Sequence, residues 1–99
     1  MSILLSFGPV PMSREEYLSV GDRIPEPPEG RDYHVCAGED GALYITEVWD
    51  SEEHVRAWDE KLGPVLREVF PHMEDPLEDD RVRRPVVAVH RRGETFARP

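Results

Sequence analysis

Apolar residues recur along this chain at two different periods, and the switches between them mark the elements. A period of two runs through residues 42–49, where Leu43, Ile45, Glu47 and Trp49 fall on one face and Ala42, Tyr44, Thr46 and Val48 on the other. A shorter run of the same kind, residues 33–37, precedes it. Glu39-Asp40-Gly41 separates the two, and Asp-Gly between such runs predicts a hairpin whose turn residues take positive φ. The period then changes to that of a helix, with Val55, Trp58, Leu62, Val65, Leu66 and Val69 on one stripe. Asp50 and Ser51 are both good helix caps, and Asp50 with Glu53 fits a capping box. Pro64 predicts a kink or break, because it lacks a donor and crowds the preceding turn. Pro71 ends the pattern.

The flanks read in the same way. Residues 2–7 form a first strand closed by Gly8-Pro9. Ser13 and Glu16 make a capping box, and Met12 can staple to Tyr17 across it. The resulting short helix covers 14–20 and stops near Gly21. The proline-rich stretch 24–30 is a rigid loop, and 72–80 is an acidic solvated one. Residues 85–90 form the last strand, followed by a polar C-terminal tail over 91–99.

The order strand, helix, strand, strand, helix, strand is that of an α+β, ferredoxin-like βαββαβ fold. Right-handed crossovers put both helices on one face of a four-stranded antiparallel sheet. Apolar residues occur on both faces of the strands, so the helix-free face is expected to be covered by a second copy, as a homodimer with two-fold symmetry. All 99 residues fit one domain.

Charge narrows the partners. With a net charge of −9 the chain is a poor match for nucleic acid and lacks the basic patch that an anionic membrane attracts. No apolar run approaches the roughly 20 residues needed to span a bilayer, and the N-terminus lacks the basic region of a signal peptide. Cys36 is the one cysteine, which fits a reducing cytoplasm and excludes an internal disulfide.

The candidate chemistry is sparse. His34 and His90, on the second and fourth strands, can take a proton from a phenol or bond to a carbonyl, or serve as ordinary sheet-edge residues. Glu47, among apolar neighbours, can have a raised pKa and act as a base, or take an outward or interface position paired with an arginine. Trp49 can wall an aromatic-binding pocket or anchor strand to helix. Tyr33 and Tyr44 can orient a substrate or simply pack. Cys36 has no activating partner in sequence and reads as a small apolar group. No metal-ligand spacing, phosphate loop or nucleophile elbow is found, so neither a metal nor a motif-bound cofactor is expected.

His34-Val35-Cys36-Ala37-Gly38, Asp40-Gly41, Val48-Trp49-Asp50-Ser51-Glu52-Glu53, Leu62-Gly63-Pro64 and Val89-His90 together resemble the antibiotic-biosynthesis-monooxygenase-like group of the dimeric α/β-barrel superfamily. The likeness covers roughly residues 31–70 and 85–91 and is most specific at the step from Trp49 into the helix. It implies a dimer whose two sheets form a barrel. It also implies a cofactor-independent oxidation or isomerisation of an aromatic or polyketide-like small molecule. The proton acceptor would be His34, His90 or Glu47, with Trp49, Tyr44 and Tyr33 lining the pocket. The superfamily's heme-degrading branch pairs the strand-end Trp with an Asn on the first strand and a ligand His within the second helix. The first strand here has no Asn, and the middle and end of the second helix hold no His. His54, in its first turn, comes too early for that role. A non-catalytic dimer that binds a small molecule is the other reading.

Overall fold

A computed structural model describes residues 1–71, 80–91 and 94–97, with Arg91 and 94–97 as backbone only. The elements are β1 (Ile3–Val10), α1 (Arg14–Arg23), β2 (Arg31–Glu39), β3 (Ala42–Trp49), α2 (Glu52–Val69), β4 (Val82–Pro85), β5 (Ala88–Arg91) and β6 (Glu94–Ala97). The first four strands form one antiparallel sheet in the order β2-β3-β1-β4, compatible with a ferredoxin-like fold.

The alternation along β3 sorts as its pattern requires. Leu43, Ile45, Glu47 and Trp49 are all buried and face the helices. Opposite them in the ladder, Leu5 pairs with Glu47 and Ile3 with Trp49. Leu5, Trp49 and Val55 of α2 close the first core cluster, with Ile3, Phe7 and Trp58 packed around it. Met12, Val20 and Leu43 centre a second cluster, joined by Tyr17, Cys36, Leu62, Val65 and Leu66. The sheet thus carries its core on the helix side.

The other side is exposed over part of its area, although Val48 on it is buried. Tyr33, Val35, Tyr44 and Val82 are at least 39% accessible. Their partners Val48, Thr46, Ala37 and Ser6 place all four on the face away from the helices.

Several boundaries differ from the sequence reading. β1 continues through Gly8-Pro9 to Val10, with its register against β3 shifted between Phe7 and Val10. α1 runs past Gly21 to Arg23. The hairpin turn uses positive φ only at Gly41 (+84°); Asp40 stays on the ordinary side and accepts a hydrogen bond from the Arg14 amide at 2.9 Å. The cap of α2 is Ser51, whose Oγ accepts from the His54 amide, so Asp50 does not form the expected box. α2 passes through Pro64 without a break. Val65, Leu66 and Val69 beyond it pack on the second cluster, and that burial outweighs the lost backbone bond.

The C-terminal third needs the largest correction. The strand pairing with β1 is Val82–Pro85, not 85–90. Residues 88–91 instead pair with 94–97 in a separate two-stranded sheet, so the expected polar tail contains a strand. The acidic stretch 72–79 lies outside the described residues. Among the described residues no helix is long and apolar enough to cross a membrane.

Candidate functional site

The hairpin turn sets up the site. Counting back from Asp40-Gly41, the β2–β3 register brings His34 directly opposite Glu47 on the helix side of the sheet. His34 Nδ1 lies 2.6 Å from Glu47 Oε2. Further along, β2 contains one extra residue. Tyr33 pairs with Val48 and Arg31 with Trp49, so Asp32 is bulged out. The bulge returns Arg31 to the face that His34 occupies, although the two are three positions apart.

Arg31 Nη1 donates to the same Glu47 oxygen at 3.2 Å, and its guanidinium stands 6.0 Å from the Trp49 ring centre and 5.7 Å from that of Trp58. Trp49 Nε1 donates to Glu47 Oε1 at 3.2 Å. The carboxylate is therefore 6% exposed but meets three donors. Burial pushes its pKa up. The hydrogen bond and charge of His34, the Trp49 N–H and the Arg31 charge together outweigh that and hold it below its ordinary value. This reverses the raised-pKa reading. Glu47 is an anchored anion that orients His34, and a poor proton acceptor in its own right.

His34 has a second partner. Its Nε2 is hydrogen-bonded to the hydroxyl of Tyr17, which projects from α1, and the two rings lie nearly parallel, 10° apart. Tyr17 is placed by the capping box of Ser13 and Glu16, both bonds of which are formed, and by packing beside Met12 and Val20. Burial chiefly, then Cys36 and Glu47 against the opposing Arg31, push the Tyr17 phenol above its usual pKa. With Glu47 held as the anion and Tyr17 as the phenol, the His34 tautomer that satisfies both contacts donates from Nδ1 to Glu47 and accepts from Tyr17 at Nε2. The line Tyr17–His34–Glu47 then has one direction of donation throughout.

These groups form part of the wall of a cavity of about 730 Å³ between the sheet and the helices. Its apolar wall includes Phe7, Ile45, Val55, Trp58, Leu62 and Leu66, and the proline-rich stretch contributes Ile24, Pro25, Pro27 and Pro28. At another part of the wall Arg81 forms a two-pronged ion pair with Asp59, at 3.1 and 2.8 Å. The volume and mixed lining suit a small organic molecule.

Of the residues expected from sequence, His34, Glu47 and Trp49 converge on this cavity. Tyr33 and Tyr44 do not, since both lie on the opposite, exposed face of the sheet. Tyr44 shares that face with Thr46 and Val48, so alternation along its own strand already separates it from Trp49. His90 is not on the main sheet. It pairs with Thr95 in the two-stranded sheet and does not line the cavity. Tyr17 and Arg31 join the site although the sequence pattern marked Tyr17 only as a staple partner of Met12 and did not mark Arg31. Cys36 borders a separate depression of about 210 Å³ beside Arg14 and Leu18, and burial raises its pKa, which makes it a weak nucleophile. Among the described residues no group of three or more His, Cys, Asp or Glu could hold a metal ion.

No family model, curated protein or solved structure matches the chain.

Proposed function

We propose that this protein is a small-molecule enzyme of the monooxygenase-like kind, which binds an aromatic compound bearing an acidic hydroxyl and removes its proton inside the cavity. The observation that carries this reading is the hydrogen bond between half-buried His34 and buried Glu47 on the wall of a cavity that Trp49 and Trp58 also line. An imidazole backed by an ionised carboxylate becomes a stable imidazolium when it accepts a proton, as acid–base catalysis requires. The tryptophans offer flat faces on which an aromatic ring can stack. Loss of the ligand's proton leaves an electron-rich phenolate. Dioxygen, as co-substrate, would accept electrons from it, and isomerisation through the same anion is the other outcome open to this chemistry.

The assembly proposed with it is a homodimer through the exposed sheet face. Tyr33, Val35, Tyr44 and Val82 form a one-sided apolar patch there, and a second copy would cover it with the same residues.

Titration with a panel of hydroquinones, followed by tryptophan fluorescence and by oxygen consumption, tests the function. The expected result is saturable quenching with oxygen uptake, and a large loss of uptake in H34A with binding retained. Saturable quenching without uptake or isomerised product would favour a non-catalytic binding protein. Absence of quenching would remove the cavity as a site.

A further inference from the structure

The three polar groups in line at the cavity differ in how much hydrogen-bonding capacity each has left. Both nitrogens of His34 are engaged, Nδ1 by Glu47 and Nε2 by Tyr17. Both oxygens of Glu47 are engaged, by His34 and Arg31 at one and Trp49 at the other. Among the described residues the Tyr17 hydroxyl makes one bond, to His34, and its oxygen keeps lone pairs for another donor. Tyr17 also lines the cavity. A ligand hydroxyl entering the cavity therefore finds His34 already capped and Tyr17 able to accept.

We propose that Tyr17 is the catalytic residue that exchanges the proton with the ligand, and that His34 and Glu47 act behind it as a relay. This rests on the reading of the cavity as a site for a hydroxylated aromatic. The ligand O–H bond breaks and its proton forms a new O–H bond at Tyr17. The Tyr17 proton passes in the same step to His34 Nε2. The electron pair stays on the ligand oxygen, leaving a phenolate that accepts from Tyr17, and an imidazolium that donates to Glu47. No oxidant is involved in this step. The raised pKa of Tyr17 is consistent with a phenol that transmits a proton without resting as a tyrosinate.

The probe is 4-nitrophenol, whose absorption reports whether it is neutral or ionised and whose binding is followed separately by tryptophan quenching. Wild-type protein is expected to hold it as the phenolate at a pH where the free probe is mostly neutral. In Y17F, with its fold checked by circular dichroism, binding is expected to stay within a few-fold. The ratio of ionised to neutral bound probe is expected to fall about tenfold, equivalent to one pKa unit. An unchanged ratio in Y17F would mean that His34 meets the ligand directly. It would overturn the relay while leaving the binding reading intact. Failure of the wild type to bind any of a series of nitrophenols would overturn both. A second measurement needs no variant. In the wild-type complex, nuclear Overhauser effects are expected between the probe ring and Tyr17, while Tyr17 and His34 stay close to each other. A probe ring lying against His34, with Tyr17 displaced from the imidazole, would also overturn the relay.

Discussion

Arg31 and His34 stand three positions apart on one strand and yet share a face, because Asp32 is bulged out between them. The consequence is that one carboxylate, Glu47, receives both side chains at the same oxygen. A regular strand would have sent Arg31 to the exposed face, leaving Glu47 buried with His34 and Trp49 alone.

Removing that arginine should be costly. In R31M, Glu47 loses one charged donor while remaining buried, and the two tryptophans lose their cation. Chemical denaturation is expected to show a loss of about 1–3 kcal/mol. R31K is expected to recover only part of it, because an ammonium lacks the planar fork. A shift in tryptophan emission should accompany both.

Acid should reveal Glu47. Its native pKa lies below the ordinary value of 4.5, so ionised Glu47 contributes stability that is fully present above that value. That contribution is lost as pH falls through the native pKa. The difference in unfolding free energy between the wild type and E47Q should therefore shrink as pH falls below the ordinary value. A difference that grows on acidification would contradict the depressed pKa.

The exposed sheet face should govern assembly. Light scattering is expected to give twice the chain mass for the wild type, persisting on dilution. The double variant V35E/Y44E, which puts like charges on that face, should be monomeric with its helical content intact. A dimer that survives the double substitution would place the interface elsewhere.

Gly30 links the loop to the start of α2. It sits at φ +82°, its carbonyl accepts from the Asp50 amide at 2.8 Å, and a side chain there would run into the ring of His54. His54 is itself held by Ser51 Oγ at 2.7 Å. G30A is expected to lower stability by about 1–3 kcal/mol, measured by thermal unfolding, through backbone strain together with the displaced imidazole.

Local periodicity determined much of the layout. The period of two in residues 42–49 set which face of β3 is buried, and the Ser13 and Glu16 box set where α1 begins. The His34–Glu47 pairing was also legible: the two residues are equidistant from the Asp40-Gly41 turn, and a tight hairpin pairs such positions. Three things were settled only by tertiary structure. The bulge at Asp32 leaves no mark in the hydrophobic pattern, because an extra residue costs little in sequence but reverses every face beyond it. The approach of Tyr17 to His34 depends on how α1 packs over the sheet, a contact between elements 17 positions apart that no local period encodes. The sign of the Glu47 shift followed from its neighbours. Burial alone raises a carboxylate's pKa, and only the convergence of His34, Trp49 and Arg31 from two strands lowers it.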